Sequence, residues 1–129
     1  MSFVQHLKVL VVDDTTTSRM LISGALQEMG IRQITLAADG EQALKSMMTV
    51  PSHLVISDFN MPKLDGLGLL KAIRSYAPIR KTPFIILTGK GDRALVQKAA
   101  ELGVNNYLTK PFTTASLKQA IEAVVGQLK

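Results

Sequence analysis

The chain of 129 residues is long enough for one domain with a full core and too short for two. Hydrophobic residues make up 47% and charged residues 19%, which excludes an intrinsically disordered chain; with no cysteine, a disulfide scaffold and a thiolate metal site are excluded as well. The net charge of +5 is unevenly spread: residues 1–65 hold five Lys/Arg against seven Asp/Glu, residues 66–129 ten against three.

No Lys/Arg cluster marks a nucleic-acid arm and only 5% of residues are aromatic, so the basic half reads as a solvated face or a surface for an acidic protein partner. No apolar run approaches the roughly 20 residues of a membrane span, and the N-terminus lacks a secretory signal pattern. A cytoplasmic, monomeric protein without nucleic-acid or membrane contacts is expected. Five β-branched runs, at Lys8–Val12, Gln33–Ala37, His53–Ser57, Phe84–Leu87 and Asn106–Thr109, predict strands. KVLVV and LVIS are nearly continuous apolar runs, as central parallel strands covered on both faces require. Helical patterns fill the gaps. Ser18–Met29 stacks Ile22, Ala25, Leu26 and Met29 before Gly30; Glu41–Met48 follows Asp39-Gly40; Leu67–Ser75 carries Leu69, Leu70 and Ile73. Asp92 is a candidate cap for Arg93–Leu102, and Thr113 or Thr114 for a last helix carrying Leu117, Ile121, Val124 and Leu128. The five prolines all fall outside helix interiors, between these patterns or at a strand entrance. Five βα units in succession predict an α/β, flavodoxin-like (βα)5 fold: a five-stranded parallel sheet of order 2-1-3-4-5 with helices on both faces.

In such a sheet, ligands bind outside the carboxyl ends of the strands, near the point where strand order reverses. Those ends carry Asp13 and Asp14 after the first strand, Asp58 and Asn60 after the third, Thr88-Gly89 after the fourth and Lys110-Pro111 after the fifth. Singly, an Asp leaving a strand is a turn former or a cap, and a Thr there reflects β-propensity. Together, three carboxylates on one edge repel one another, and one must take a proton unless a cation neutralises them. An all-oxygen donor set points to Mg²⁺, with Mn²⁺ as an alternative, rather than Zn²⁺.

The segments VLVVDDTTTSR, VISDFNMPKLDGLGLLKAIR, ILTG and YLTKPF resemble the signature blocks of two-component receiver domains, over essentially the whole chain from Lys8. The likeness is greatest to single-domain chemotaxis response regulators. It implies one receiver domain over residues 1–129 with no output domain, a signalling protein rather than a turnover enzyme. It further implies that Asp58 accepts the phosphoryl group. Asp14 and Asp58 would ligate Mg²⁺ directly, Asp13 through water, and Asn60 through its backbone carbonyl. Lys110 would hold the Asp58 carboxylate at rest and a phosphoryl oxygen afterwards; Thr88 would donate its hydroxyl to the phosphoryl group, and Tyr107 would turn inward behind it. The Lys110–Pro111 bond would be cis, and Met61-Pro62 and Gly66 would be structural. Output would use the fourth helix, fifth strand and fifth helix, with Lys90, Arg93, Lys98, Tyr107 and Lys118 on or near that face. The implied partners are a CheA-like histidine kinase through its phosphotransfer domain, a flagellar motor switch protein or another acidic protein, and a phosphatase.

The chain departs from the pattern at Phe59, where such regulators carry tryptophan, at Gly89, where alanine is common, and at Lys90, where an acidic residue affects how water reaches the phosphoryl group. His6 and His53 read as surface and strand-start residues. Two other functions are weighed. A phosphate sink would keep the chemistry and drop the output. A haloacid-dehalogenase-type phosphohydrolase would place its nucleophile after the first strand in D-x-D spacing; here those acids are adjacent, and the D-x-N follows the third strand.

Overall fold

A computed structural model describes residues 3–61, 63–89 and 93–126. After a short helical turn at Phe3–His6 come β1 (Lys8–Val12), α1 (Thr16–Glu28), β2 (Gln33–Ala37), α2 (Gly40–Thr49), β3 (Leu54–Asp58), α3 (Gly66–Ser75), β4 (Phe84–Thr88), α4 (Arg93–Glu101), β5 (Asn106–Thr109) and α5 (Thr114–Val125). All neighbouring strands pair in parallel, in the order β2-β1-β3-β4-β5. Among the described residues no helix is long and apolar enough to cross a membrane.

The apolar runs are continuous because each central strand is covered twice. Alternation along β1 sends Val9 and Val11 into one core with Ile22 and Leu26 of α1 and Leu117 and Ile121 of α5. Leu10 and Val12 enter the other, with Met47 of α2, Leu69, Leu70 and Ile73 of α3 and Ala99 of α4. Burying each large aliphatic side chain contributes about 1.5–3 kcal/mol, so these two layers drive the fold and fix which ends of the strands meet.

Element ends differ from the sequence reading by a few residues, for local reasons. His53 stays outside β3: its N–H donates to the Lys8 carbonyl, and its Nδ1 accepts the Lys8 N–H at 3.0 Å. At the other end the ladder runs one residue further, to Asp58 opposite Leu87, and β4 runs to Thr88 opposite Thr109. Helix α1 starts before Ser18 because the Thr15 hydroxyl accepts the Ser18 N–H as N-cap. Asp39 and Asp65 cap α2 and α3 in the same manner. Of the two candidates for α5, Thr113 is the cap, in a reciprocal capping box with Ser116. The turns at Phe3–His6 and Ala77–Ile79 carry no periodic signal and were not expected. The predicted cap Asp92, the loop residues Lys90 and Gly91, Pro62 and the helix residue Leu128 lie outside the described residues.

One cation binds the far ends of several elements together. Arg74, at the end of α3, donates to the carbonyls of Gly103, Arg80 and Thr82 and to Asn105 Oδ1, at 2.8–3.2 Å. Burial pushes its guanidinium below its ordinary pKa. Asn105 Oδ1 also accepts the Phe84 N–H at 2.9 Å, so Arg74 ties α3 to the entrance of β4 and to the connection between α4 and β5.

Candidate functional site

Strand order reverses between β1 and β3, and the carboxyl ends there open into an acidic cleft. Asp13 leaves β1 with its N–H bonded to the Ala37 carbonyl and its side chain only 1% exposed. Asp14 follows it, exposed, and Asp58 closes β3; carboxylate oxygens of Asp13, Asp14 and Asp58 all lie within 4.8 Å of one another. Lys110, just beyond β5, reaches over the pair: its Nζ is 3.0 Å from Asp58 Oδ1 and 3.5 Å from Asp13 Oδ2. The Lys110–Pro111 peptide bond is cis. Thr88 ends β4 almost buried, with its hydroxyl donating to the Gly89 carbonyl at 2.7 Å and its own carbonyl accepting the Lys110 N–H at 2.8 Å.

The Asp58 carboxyl group is held above the ordinary aspartate range. Burial is the largest cause; the Lys110 hydrogen bond and charge pull the other way, Asp13 raises the value again, and the Phe59 N–H, 2.9 Å from Oδ1, lowers it. Among the described residues one ammonium thus meets a cluster of three carboxylates, which leaves an excess of negative charge in a partly buried cleft. The donors are all oxygen, at a spacing that a hard divalent cation with retained waters spans. Asp13, Asp14 and Asp58 therefore fit a Mg²⁺-type ion.

Sequence reasoning brought Asp13, Asp14, Asp58, Thr88 and Lys110 to this edge. Asn60 lies exposed in the loop two residues past Asp58. Tyr107 stands on β5, 47% exposed, and Arg93, Lys98 and Lys118 are exposed on α4 and α5; Lys90 is outside the described residues. Two supporting residues had no assigned role. Thr15 donates both its N–H (3.0 Å) and its hydroxyl (3.2 Å) to Asp13 Oδ1, leaving Oδ2 to face Lys110. Arg19 Nη1 donates to the Asp13 carbonyl at 2.6 Å. Thr15 could have been found as the first hydroxyl in TTTS; Arg19 leaves no local signal, because its acceptor is backbone.

Residues 9–122 match the family model described as the response regulator receiver domain. The chain belongs to the receiver domain family. It is 60% identical to the "Probable chemotaxis protein CheY" of Rhizobium etli, over all of both chains, and 38% identical to chemotaxis protein CheY1 of Helicobacter pylori, over 93% of this chain and 98% of that one. Among solved structures it resembles chemotaxis protein CheY4 of Vibrio cholerae, with TM-score 0.85 and 33% identity over 92% of this chain and 98% of that chain. It also resembles the receiver domain of a Pseudomonas aeruginosa sensor histidine kinase, with TM-score 0.84 and 30% identity over 94% and 98%. That domain holds a magnesium ion coordinated in its active-site cleft. This receiver domain is of the CheY type, that of a chemotaxis response regulator in a two-component system, and receiver domains are signalling proteins rather than turnover enzymes.

Proposed function

We propose that this receiver domain takes a phosphoryl group on Asp58 from the phosphohistidine of a CheA-like kinase and then docks on a flagellar motor switch protein. The observation that carries the reading is the Asp58 carboxylate, 3.0 Å from Lys110 and clustered with Asp13 and Asp14 at the strand-order reversal. An Asp58 oxygen attacks phosphorus, the P–N bond to the donor imidazole breaks, and an acyl phosphate forms. Asp13, Asp14, Asp58 and the Asn60 carbonyl would hold Mg²⁺, and the ion would supply charge neutralisation to the carboxylates and the phosphoryl oxygens. Lys110 gives up its bond to Asp58 and pairs with a phosphoryl oxygen, as a compact point charge can.

Output needs a two-state element, because a group adding roughly −1.5 to −2 charge at the strand ends is remote from a face built of α4, β5 and α5. Thr88 supplies it. Its hydroxyl, engaged by Gly89 in the resting structure, rotates to a phosphoryl oxygen, and the space behind it admits the exposed Tyr107 ring. Arg93 and Lys98 on α4 and Lys118 on α5 are exposed and suit an acidic partner surface. The single domain, residues 1–129, delivers its signal through this face.

The test is phosphotransfer from radiolabelled kinase, followed by pull-down of motor switch protein. Label is expected on the wild-type chain with Mg²⁺, and lost with chelator or in Asp58→Asn. Wild-type labelling of Asp58→Asn would overturn the acceptor assignment; equal pull-down with and without phosphorylation would overturn the output.

A further inference from the structure

At the edge of the sheet farthest from β5, strand β2 is open. Ala37 presents its carbonyl to Asp13, so in this parallel ladder the inward backbone groups belong to Gln33, Thr35 and Ala37. The N–H and C=O groups of Ile34 and Leu36 point the other way, and nothing among the described residues pairs with them. Both ends of this stretch are closed: Gln33 Nε2 donates to the Gln5 carbonyl at 3.1 Å, and the Ala38 N–H donates to Gln42 Oε1 at 3.0 Å. What remains is a short, bounded segment of free strand edge.

A groove runs along this segment between β2 and α2, and its charge is segregated. Three of the five Lys/Arg in residues 1–65, namely Lys8, Arg32 and Lys45, line it, and none of the seven Asp/Glu of that half does. All three cations are exposed. The groove also carries uncovered aliphatic surface, with Leu36 45% and Val50 60% exposed. The combination is main-chain donors and acceptors and cations that pair with nothing among the described residues, together with apolar footholds, in a half of the chain that is otherwise acidic.

We propose that the β2 edge is a second docking site, which takes an extended acidic segment of a partner protein as a sixth strand. Backbone pairing with Ile34 and Leu36 holds the segment. Its aliphatic side chains lie on the face that Leu36 shares with Val11, and its carboxylates alternate onto the α2 side of the sheet, toward Lys8 and Lys45, with Arg32 at the strand entrance. A second copy of this chain does not fit, since edge-to-edge pairing would set the same cations against each other. The site is separated from β5 and Tyr107 by the width of the sheet, so a segment bound here and a partner on the α4–β5–α5 face can be held together. The proposal is independent of the phosphorylation chemistry.

The probe is a short capped peptide alternating Val and Glu, titrated into the isotope-labelled full chain at low salt. Two controls accompany it: the Val–Lys counterpart, and a Val–Glu peptide N-methylated at alternate residues. Shift changes confined to β2 and α2 are expected, with slowed amide exchange at Ile34 and Leu36. Arg32→Glu with Lys45→Glu, both at exposed positions, should weaken binding about tenfold or more, two attractive pairs having become repulsive. The N-methylated and Val–Lys peptides should not bind. Equal binding of either control, no weakening in the double variant, or no slowing at Ile34 and Leu36 would overturn the proposal. So would tighter binding of a single-stranded oligonucleotide at the same footprint, or self-association of the chain through β2.

Discussion

Gly66→Ala tests how closely the turn after β3 is built around the acceptor. A Cβ on Gly66 would lie 2.7 Å from the Asp58 carbonyl oxygen and 3.0 Å from Phe59 Cα, where ordinary contact begins at 3.4 Å. The backbone must therefore retreat by about 0.7 Å, yet the Gly66 N–H is bonded to the Phe59 carbonyl at 2.9 Å and resists separation. Overpacking of this kind costs about 1–3 kcal/mol, and the gain in helix propensity returns at most about 1 kcal/mol at a first-turn position. The expected net loss is about 1–2 kcal/mol in urea unfolding. Gly24→Ala, in mid-helix with nothing within 4 Å of the new Cβ, should instead stabilise by about 0.5–1 kcal/mol. Displacing Asp58 also spoils its alignment with Lys110. A misplacement near 1 Å can cost about a hundredfold in rate, so phosphorylation by acetyl phosphate should slow by about tenfold in Gly66→Ala and stay unchanged in Gly24→Ala. A Gly66→Ala chain as stable as wild type, or one that is destabilised but phosphorylated at full rate, would refute the reasoning.

Other outcomes follow from the same geometry. Because the Asp58 pKa is raised on folding, its ionised form is less favoured in the folded chain than in the unfolded one, and stability falls as pH rises from the ordinary aspartate value of 3.8 through the raised one. Asp58→Asn in chelator should therefore be more stable than wild type at neutral pH and equal to it in acid; a less stable variant at neutral pH contradicts this. Added Mg²⁺ should raise the wild-type melting temperature more than that of Asp58→Asn, as linkage to a site requires. Arg74→Met should cost about 3 kcal/mol in urea unfolding and Arg74→Lys about half as much, because an ammonium cannot fork between the carbonyls of separate segments; a loss under about 1 kcal/mol for Met would show that solvent replaces those bonds. Tyr107→Ala should accept phosphate normally and lose most of the phosphorylation-dependent gain in partner affinity, measured with beryllofluoride; an undiminished gain would remove Tyr107 from the switch.

The fold was legible because its determinants are periodic and local. KVLVV and LVIS, short, β-branched and apolar throughout, read as doubly covered strands, and Asp39-Gly40 and Met29-Gly30 marked helix limits within a residue or two. The site residues were legible because the topology sends every strand's carboxyl end to one edge. The supporting contacts were not. Thr15, Thr16, Thr17 and Ser18 can each cap a helix, and only packing chooses Thr15, whose hydroxyl then serves Asp13 as well. Arg74 is one basic residue ending a helix, and its partners at Gly103 and Asn105 are fixed by tertiary structure 29 and 31 residues away. Bonds to backbone acceptors leave no trace in residue type.

The double burial of β1 has an implication for how this strand keeps its register. A strand with one wet face is protected from slipping, because a shift of one residue would turn its apolar side to water. β1 has no such protection: Val9, Leu10, Val11 and Val12 are all fully buried, and a slipped strand would still be greasy on both sides. What distinguishes the correct alignment is its boundary, where Lys8 stays in solvent and Asp13 is buried under Lys110, with its oxygen taken by Thr15 and its amide by Ala37. A slip by one place would drive Val12 into that polar corner, or Asp13 into the aliphatic layer. The interior of β1 is thus free to exchange one aliphatic for another over evolutionary time. The residues that perform the chemistry are also the ones that tell the strand where to stop, and for that reason neither role can drift without the other.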